Sequence, residues 1–341
     1  GASRGLYLDL SEWLPQHVDL DRIHPMARRY LMEYPAGSGN YFAAPCETDA
    51  LGFVYRRDWF ESPVERERFQ DKYGRELKPP DTWQEFLEIA EFFHRPAEKR
   101  YGCALLTGRG YDSLVMGFQP FLWSWGGSWG NRDTFEISGY IDSEESVLGL
   151  QFLINLLQYA IPGGINSDYM QVLDAFMNGS TAMVLDYFPF YPGIVDAMGT
   201  KAGFFLVPRN GDSRVISLCG QGFSISTKVS PKQQELAKQF IAWFQQTKVQ
   251  EKWITFPGCF TANIDLLTSK EFASAYPFNA TFAQSLNYLR DFWNVPVYNE
   301  LLAAAQRSLG EALDGAKGPA EALNELAVQH DLIMRQAGLL K

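Results

Sequence analysis

The segment "DAFMNGSTAMVLDYFPFYPG", residues 174–193, joins an ordinary pattern to an unusual ending. Its first residues read as the end of a helix, "NGS" as a turn and "TAMVL" as a buried strand. The strand then ends in one carboxylate, Asp186, followed by aromatic rings and prolines. A strand that only fills a core needs neither the acid nor two tyrosine hydroxyls. The segment therefore predicts a strand end that offers flat apolar faces beside a hydrogen-bond acceptor.

The composition limits the classes of protein to consider. The chain has 341 residues, of which 46% are hydrophobic and 21% charged, as in globular proteins of one large or two ordinary domains. The formal net charge is −10. Nucleic-acid binding depends on clustered Lys and Arg, and the sequence contains no such cluster. Aromatic residues make up 15% of the chain, and their local clusters indicate contact with a ligand as well as packing.

The cysteines and histidines show no metal-binding pattern. Four cysteines and four histidines are scattered without CxxC or HExxH spacing. We therefore expect neither a metal site nor a cofactor, and the thiols are read either as buried side chains or as one or two disulfides. No apolar run approaches the roughly 20 residues that span a membrane. No signal peptide is visible.

Strand and helix patterns alternate along the chain, which predicts an α/β fold. The clearest helix start is "KPPDTWQEFLEIAEFF", residues 78–93, where Thr82 and Glu85 can form a capping box. The segment "NYFAAPCETDALGFVYRRDWF", residues 40–60, reads as two strand-like runs joined through "PCETD". Pro45 interrupts a simple ladder there, which indicates a strand that crosses between layers.

The order of these segments resembles the extracellular solute-binding proteins of bacterial ABC importers, the broad family that includes the maltodextrin-binding protein. The resemblance covers nearly the whole chain, in the order "GLYLDLSEWL", "YFAAPCETDALGFVYRRDWF", "KPPDTWQEFLEIA", "AFMNGSTAMVLDY", "GFFLVP", "LCGQGFSIS", "ELAKQFIAWF" and "GPAEALNELAVQHDLIMRQAG". It implies a periplasmic-binding-protein-like fold of type II. In that fold two α/β lobes are joined by crossing hinge strands, and they close over a ligand in the cleft between them.

The resemblance also assigns the lobes. "PCETDAL" (45–51) matches the first crossing and "SLCGQGF" (217–223) the return. Residues 1–52 and 216–341 are then the first lobe, with the C-terminal helices, and residues 53–215 the second. Family members usually carry further strand–helix units before the piece that resembles "GLYLDL". Three explanations stay open: the chain is a fragment, a partner completes the lobe, or the first lobe is reduced, which would expose an apolar face and favour association.

The resemblance places the end of the segment 174–193 at the ligand, with Asp186, Tyr187 and Phe188 facing it. This suits a sugar, because a pyranose stacks one face on a ring and its hydroxyls need acceptors. A buried hydroxyl left unpaired costs about 1–3 kcal/mol. The alternative is that the rings cap a core edge and Asp186 caps a helix.

Two crossing segments supply further candidates. Asp49 lies where the maltodextrin-binding relative has a ligand-binding acid, and Glu47 shares its strand face if the strand is regular. In "CGQGF", residues 219–223, Gly220 permits a close backbone approach to a ligand and Gln221 can donate and accept hydrogen bonds. A β-bulge explains the glycines equally well. A disulfide between Cys46 and Cys219 would stiffen the hinge, and two packed thiols are the alternative.

The remaining candidates lie in other segments. "TGRGYD", residues 107–112, is expected to be a ligand-facing loop of the second lobe, with Tyr111 and Asp112 as contacts. Trp125 reads either as a stacking platform or as core. Tyr298 follows "FWNVPV", a region in which relatives offer an aromatic ring.

The resemblance and the aromatic content together predict the carbohydrate-binding component of an ABC importer. It has no enzymatic chemistry, a membrane permease as partner and a periplasmic or lipid-anchored extracellular location. Two alternatives stay open. One is a glycoside or ester hydrolase, because Gly126, Ser128 and Gly130 match GxSxG. The other is a sensor or interaction domain of the same fold that has lost its ligand.

Overall fold

A computed structural model describes residues 1–340 of the protein as a mixed α/β fold. The chain divides into two compact units. Unit 1 comprises residues Gly1–Ala50, Phe188–Pro192 and Leu218–Pro296, and unit 2 comprises Leu51–Tyr187, Gly193–Ser217 and Val297–Lys341. The divisions at 50/51 and 217/218 fall within two residues of the lobe boundaries that the sequence predicts.

The regular elements are as follows. The strands are β1 (Ala44–Arg56), β2 (Tyr101–Ala104), β3 (Thr181–Tyr187), β4 (Ala202–Phe205), β5 (Ile216–Phe223) and β6 (Leu289–Arg290). The helices are α1 (Leu14–His17), α2 (Pro25–Ala27), α3 (Arg57–Phe60), α4 (Pro63–Tyr73), α5 (Trp83–Phe93), α6 (Ser113–Ser124), α7 (Glu144–Leu157), α8 (Tyr169–Met177), α9 (Tyr191–Met198), α10 (Pro231–Phe244), α11 (Thr247–Trp253), α12 (Ile264–Leu267), α13 (Lys270–Ala275), α14 (Asn279–Ser285), α15 (Tyr298–Leu313) and α16 (Pro319–Gln336).

The sheet of unit 2 is built around the second half of β1. Residues 51–55 of β1 pair antiparallel with β3 on one side, and residues 53–56 pair with β4 on the other. β2 lies parallel to β3. Phe53 of β1 is fully buried and packs against Trp83 and Phe86 of α5. The capping box predicted for α5 is confirmed, because Thr82 accepts from the Glu85 amide while the Glu85 side chain accepts from the Thr82 amide.

The C-terminal helices correct the predicted domain assignment. α15 and α16 pack against each other, and they also contact α6 and α7 of unit 2. Their apolar faces are covered there, with Leu301, Leu309, Leu323 and Leu326 fully buried. These helices therefore belong to unit 2 and not to the first lobe, although Val328 and Leu332 of α16 stay exposed.

Unit 1 has its own core, formed by buried apolar residues that include Leu10, Leu14, Ile225 and Ile241. Its sheet pairs the first half of β1 with β5, antiparallel, from Ala44–Phe223 to Ala50–Leu218. β1 is one continuous strand rather than two runs, because a register shift between Pro45 and Glu47 accommodates the proline. Such a bulge removes the need for the backbone N–H that proline lacks.

No helix among residues 1–340 is both long and apolar enough to cross a lipid bilayer. The same residues contain no cluster of three or more His, Cys, Asp or Glu side chains arranged to bind a metal ion.

Candidate functional site

The loop between β2 and α6 is the best-defined part of the candidate site in unit 2. Thr107 is fully buried; its hydroxyl donates to the Gly164 carbonyl at 2.7 Å and accepts from the Ser167 amide at 2.8 Å. The Arg109 amide donates to Asn166 Oδ1 at 3.1 Å. These bonds fix both ends of a short turn, so the residues that follow it are held in place.

Tyr111 and Asp112 end this loop with an uncommon geometry. Tyr111 has φ +54°, in the left-handed region, and its side chain is 80% exposed. A non-glycine residue in this region costs of order 1–3 kcal/mol, and such residues concentrate at functional sites. Asp112 precedes the first residue of α6, but its side chain makes no capping bond. The carboxylate instead accepts a hydrogen bond from Tyr187 Oη, at 3.4 Å.

The structure thus brings Tyr187 to the neighbouring pair Tyr111 and Asp112, three residues that the sequence proposes from two separate segments. Asp112 and Tyr187 are both half-buried. Burial raises the pKa of Asp112 above its ordinary value, while the hydrogen bond from Tyr187 acts in the opposite direction. The group formed by these three side chains is called the Tyr111 cluster below.

Asp186 lies beside the cluster but has no accessible surface. Its Oδ1 accepts from the Tyr187 amide at 2.7 Å. Burial raises the pKa of Asp186 well above its ordinary range, and the nearby charge of Asp168 adds to the effect. In this structure Asp186 is a buried carboxyl group at the strand end, whereas Asp112 is the carboxylate with accessible surface.

Two aromatic candidates pack against other rings, and only one of them is fully buried. Phe188 is fully buried in unit 1, with ring centroids 5.2 Å from Tyr191 and 5.3 Å from Phe282. Trp125 lies at the C-terminal end of α6, 4.6 Å from the ring of Phe152, and also near Trp83. Twelve helical residues separate Trp125 from Asp112, so about 18 Å of helix lies between them. Trp125 is therefore not part of the Tyr111 cluster.

In unit 1, the candidates of the two crossing segments lie on paired strands. Glu47 of β1 is opposite Gln221 of β5, and Asp49 is opposite Cys219. Asp49 is buried, and its Oδ1 accepts from the Ala50 amide at 2.6 Å. Glu47 is half-buried, and burial raises its pKa. Gln221 is exposed.

Gly220 has a structural reason to be glycine. Its φ is +118°, and a Cβ atom there would lie 2.5 Å from the Glu47 carbonyl oxygen. Both the conformation and the close approach exclude a larger residue. The close approach is to the paired strand of the same sheet.

The cysteines do not form the hinge disulfide. All four remain thiols within the described chain. Because Cys219 is opposite Asp49, it is offset by three residues from Cys46, or roughly 10 Å along the strands. Disulfides require Cα atoms within about 7 Å. Burial raises the pKa of Cys46 to about 11, with contributions from Glu47 and Cys259.

The last candidates lie in other elements. Tyr298 is half-buried and begins α15. The GxSxG match lies in a loop after α6, where Ser128 Oγ donates to the Gly130 carbonyl at 2.9 Å. A nucleophile elbow requires a strand before the serine and a helix after it, so this segment is not one.

One relevant contact has no local signal in the sequence. The two terminal nitrogens of Arg109, Nη1 and Nη2, donate to the Asp314 carboxylate, each at 2.6 Å. The two residues are 205 positions apart in the chain. The pair holds the pKa of Asp314 below its ordinary value. The loop of the Tyr111 cluster is thus anchored to the end of α15, and its one cationic side chain is already paired.

Comparison with known proteins shows the family to which the chain belongs. Residues 2–251 match the sequence profile of the family "Bacterial extracellular solute-binding protein". The match covers well over half of the chain, and the chain belongs to this family.

Individual relatives agree with this assignment. The Escherichia coli (strain K12) protein named "Putative ABC transporter periplasmic-binding protein YcjN" is 28% identical over 187 residues, which are 53% of this chain and 41% of that protein. The chain spans less than half the length of the curated relatives it matches.

Solved structures share the fold, that of two-lobe solute-binding proteins. Maltose-bound MalE3 of T. maritima superposes with a TM-score of 0.80 at 23% identity, covering 96% of this chain and 80% of that one. A solute-binding protein of Agrobacterium radiobacter K84, in complex with ribitol, has a TM-score of 0.79 at 24% identity with the same coverage.

Proposed function

We propose that the protein is the ligand-binding component of an ABC importer and that its ligand is a carbohydrate. Family membership supports a binding role. Relatives of the same fold are named for maltose, ribitol and tagatose complexes. The observation that carries the carbohydrate assignment is the Tyr111 cluster.

The chemistry of the cluster matches a sugar ring. The exposed Tyr111 ring offers a flat apolar face for the C–H face of a pyranose, as aromatic side chains do for other apolar surfaces. The Asp112 carboxylate accepts hydrogen bonds from sugar hydroxyls, and Tyr187 Oη can donate or accept. The hydrogen bonds of Thr107 and of the Arg109 amide hold the backbone of this loop before the ligand arrives, which lowers the entropic cost of binding.

The ligand we propose is neutral. Arg109 is the only cation in the 107–112 loop, and Asp314 already neutralises it. The formal net charge of −10 and the carboxylate of Asp112 both disfavour an anionic ligand.

We propose further ligand contacts in unit 1, from Glu47 and Gln221, with Asp49 in a supporting role. Gln221 is exposed, and the half-buried Glu47 lies directly opposite it in the strand pairing. An amide and a carboxyl group side by side can donate to and accept from neighbouring hydroxyls. Asp49, which is buried, would act chiefly by fixing the backbone at Ala50.

In the proposed cycle the protein binds its ligand outside the cytoplasmic membrane and releases it to a membrane permease. The cycle includes no covalent chemistry. The test is a thermal-shift screen with mono- and disaccharides, polyols and short oligosaccharides, because a ligand that binds the native state raises Tm by mass action. We expect a shift with one class of sugar and recovery of that sugar unchanged. Released product would instead identify a hydrolase.

Matched variants connect the screen to the site. Asp112→Asn and Tyr111→Ala should each reduce the shift. Asp196→Asn, at an exposed acid of α9, and Phe256→Ala, at an exposed ring of unit 1, are the controls that should leave it unchanged. A shift that survives Asp112→Asn and Tyr111→Ala would contradict the assigned site, and no shift with any sugar would contradict the carbohydrate assignment.

We also propose that additional polypeptide of the same fold completes the first lobe. On α10, the side chains of Leu236, Phe240 and Trp243 recur at helical spacing, and each is about half exposed. Exposed apolar stripes of this kind usually mark a surface that is covered in the functional protein. Solved relatives align with 96% of this chain but contain about a fifth more chain of their own.

Hydroxyl-radical footprinting tests this proposal. Leu236, Phe240 and Trp243 should be labelled strongly in the 341-residue chain and weakly in a longer polypeptide that carries the additional part of the fold. Val328 and Leu332 on α16, which are also exposed, serve as internal controls. Equal labelling of α10 in both proteins would contradict the proposal.

A further inference from the structure

A second surface of unit 2 has the features of a small-molecule site. The loop after α7 and one face of α8 border an open groove of about 500 Å³, a volume within the range of ligand pockets. It is called the α8 groove here. Its polar side chains come from Asn166, Gln171, Asp174 and Asn178, and its apolar carbons from Ile161 and Pro162.

Three side-chain amides in the groove have their oxygens already occupied. Gln171 Oε1 accepts from the Asp168 amide at 2.9 Å, Asn166 Oδ1 from the Arg109 amide at 3.1 Å, and Asn178 Oδ1 from the Ser180 amide at 3.1 Å. Because each partner is a backbone N–H, the atom that faces it must be the oxygen. Each side chain therefore presents its NH₂ group elsewhere.

Those NH₂ groups are available for a ligand. None of the three amide nitrogens donates a hydrogen bond within residues 1–340, and the Asp174 carboxylate accepts none there. The groove thus combines three oriented donors with one acceptor. Its wall is also firm, because buried Thr107 bonds to both Gly164 and Ser167 of the same loop.

The donor and acceptor set selects the ligand class. An apolar ligand would leave the amide donors unpaired, and an anion would meet Asp174 with no Lys or Arg in the lining. A metal ion requires more than one carboxylate, and no metal-binding cluster occurs within the described chain. A neutral polyhydroxylated molecule fits, since its hydroxyls accept from the amides and donate to Asp174.

We infer that the α8 groove is a second site for a neutral sugar or polyol, in addition to the Tyr111 cluster. The inference goes beyond the proposed function, because either site can be occupied without the other. The three amide side chains and Asp174 are exposed, so water competes for their hydrogen bonds and we expect an affinity in the millimolar range.

The test is a titration of the ¹⁵N-labelled chain with maltose, followed through the side-chain NH₂ resonances of Gln171 and Asn178. Gln233 is the matched control, because it occupies the same capping-box position in α10 and accepts from the Ser230 amide at 3.0 Å. We expect saturable shifts at Gln171 and Asn178 and none at Gln233. Equal or linear shifts at all three would overturn the inference.

Two substitutions separate the sites. Gln171→Glu keeps the capping oxygen but removes the NH₂ donor, and it should weaken the groove's affinity for maltose roughly tenfold, whereas Gln233→Glu should not. Asp112→Asn should reduce binding at the Tyr111 cluster and leave the groove shifts in place. If Asp112→Asn abolishes the groove shifts as well, there is one site and the inference fails. If sodium gluconate binds the groove more tightly than mannitol, the neutral ligand class is wrong.

Discussion

The two ends of α6 both carry an aromatic residue, but one ring packs against other rings and the other is exposed. At the C-terminal end, the half-buried Trp125 packs against Phe152 and Trp83. At the N-terminal end, Tyr111 is 80% exposed in a strained backbone conformation, and Asp112 bonds to Tyr187 rather than capping the helix. An aromatic residue indicates ligand contact only when the structure leaves its ring uncovered.

The largest expected effect is at the C-terminal end. Phe121→Ala removes a fully buried ring that packs with Trp83 at 4.3 Å. It should lower the free energy of unfolding by about 3–5 kcal/mol, as measured by urea denaturation. Sugar affinity at the Tyr111 cluster should stay unchanged wherever the variant is folded. Lost affinity in the folded variant would show that the two ends are coupled.

The second prediction concerns the buried acid beside the cluster, and compares Asp186→Asn with the wild type. Unfolded Asp ionises near pH 3.9, whereas folded Asp186 keeps its proton to a raised pKa. The protonated Asp186 carboxyl group therefore contributes its full stabilisation below about pH 4. This contribution is lost as the pH rises toward the folded pKa. The advantage of the Asn variant should grow by about 1.4 kcal/mol per pH unit over that window. Urea denaturation at a series of pH values measures it, and a difference independent of pH would contradict the assignment.

The third prediction sharpens the role of Asp112. Asp112→Asn should weaken sugar binding by about tenfold or more, because a charged acceptor becomes a neutral one. Burial raises the pKa of Asp112, so wild-type affinity should fall as the pH drops through that raised pKa, while the Asn variant shows no such fall. Calorimetric titration at several pH values checks both points. Parallel pH profiles would remove Asp112 from the site.

The smallest expected effect comes from two substitutions of Tyr111 that distinguish the contribution of its ring from that of its backbone strain. Tyr111→Ala and Tyr111→Gly both remove the ring and should weaken sugar binding equally, by about three- to tenfold. Only glycine adopts φ +54° without strain, so the Gly variant should be more stable than the Ala variant by about 1 kcal/mol. Equal stability of the two variants would contradict the strain.

Local patterns were sufficient for much of the fold. The capping box at Thr82 and Glu85 and the crossing strand β1 both depend on residues close in the chain. The place of α15 and α16 could not be predicted in the same way. The apolar faces of these two helices predict that each helix packs against another element, but they do not predict which one. In the structure α15 contacts α6 and α16 contacts α7.

The candidate site shows the same limit. The resemblance to the solute-binding family indicated Tyr111, Asp112 and Tyr187, and strand ends and the loops beside them commonly carry ligand contacts. Burial separated Asp186 and Phe188 from that group, and the Arg109–Asp314 pair joined positions that no local pattern connects. Secondary structure depends largely on neighbouring residues, so the sequence alone can predict it. The accessibility and the charge partners of a side chain depend on distant segments that meet only in the folded chain.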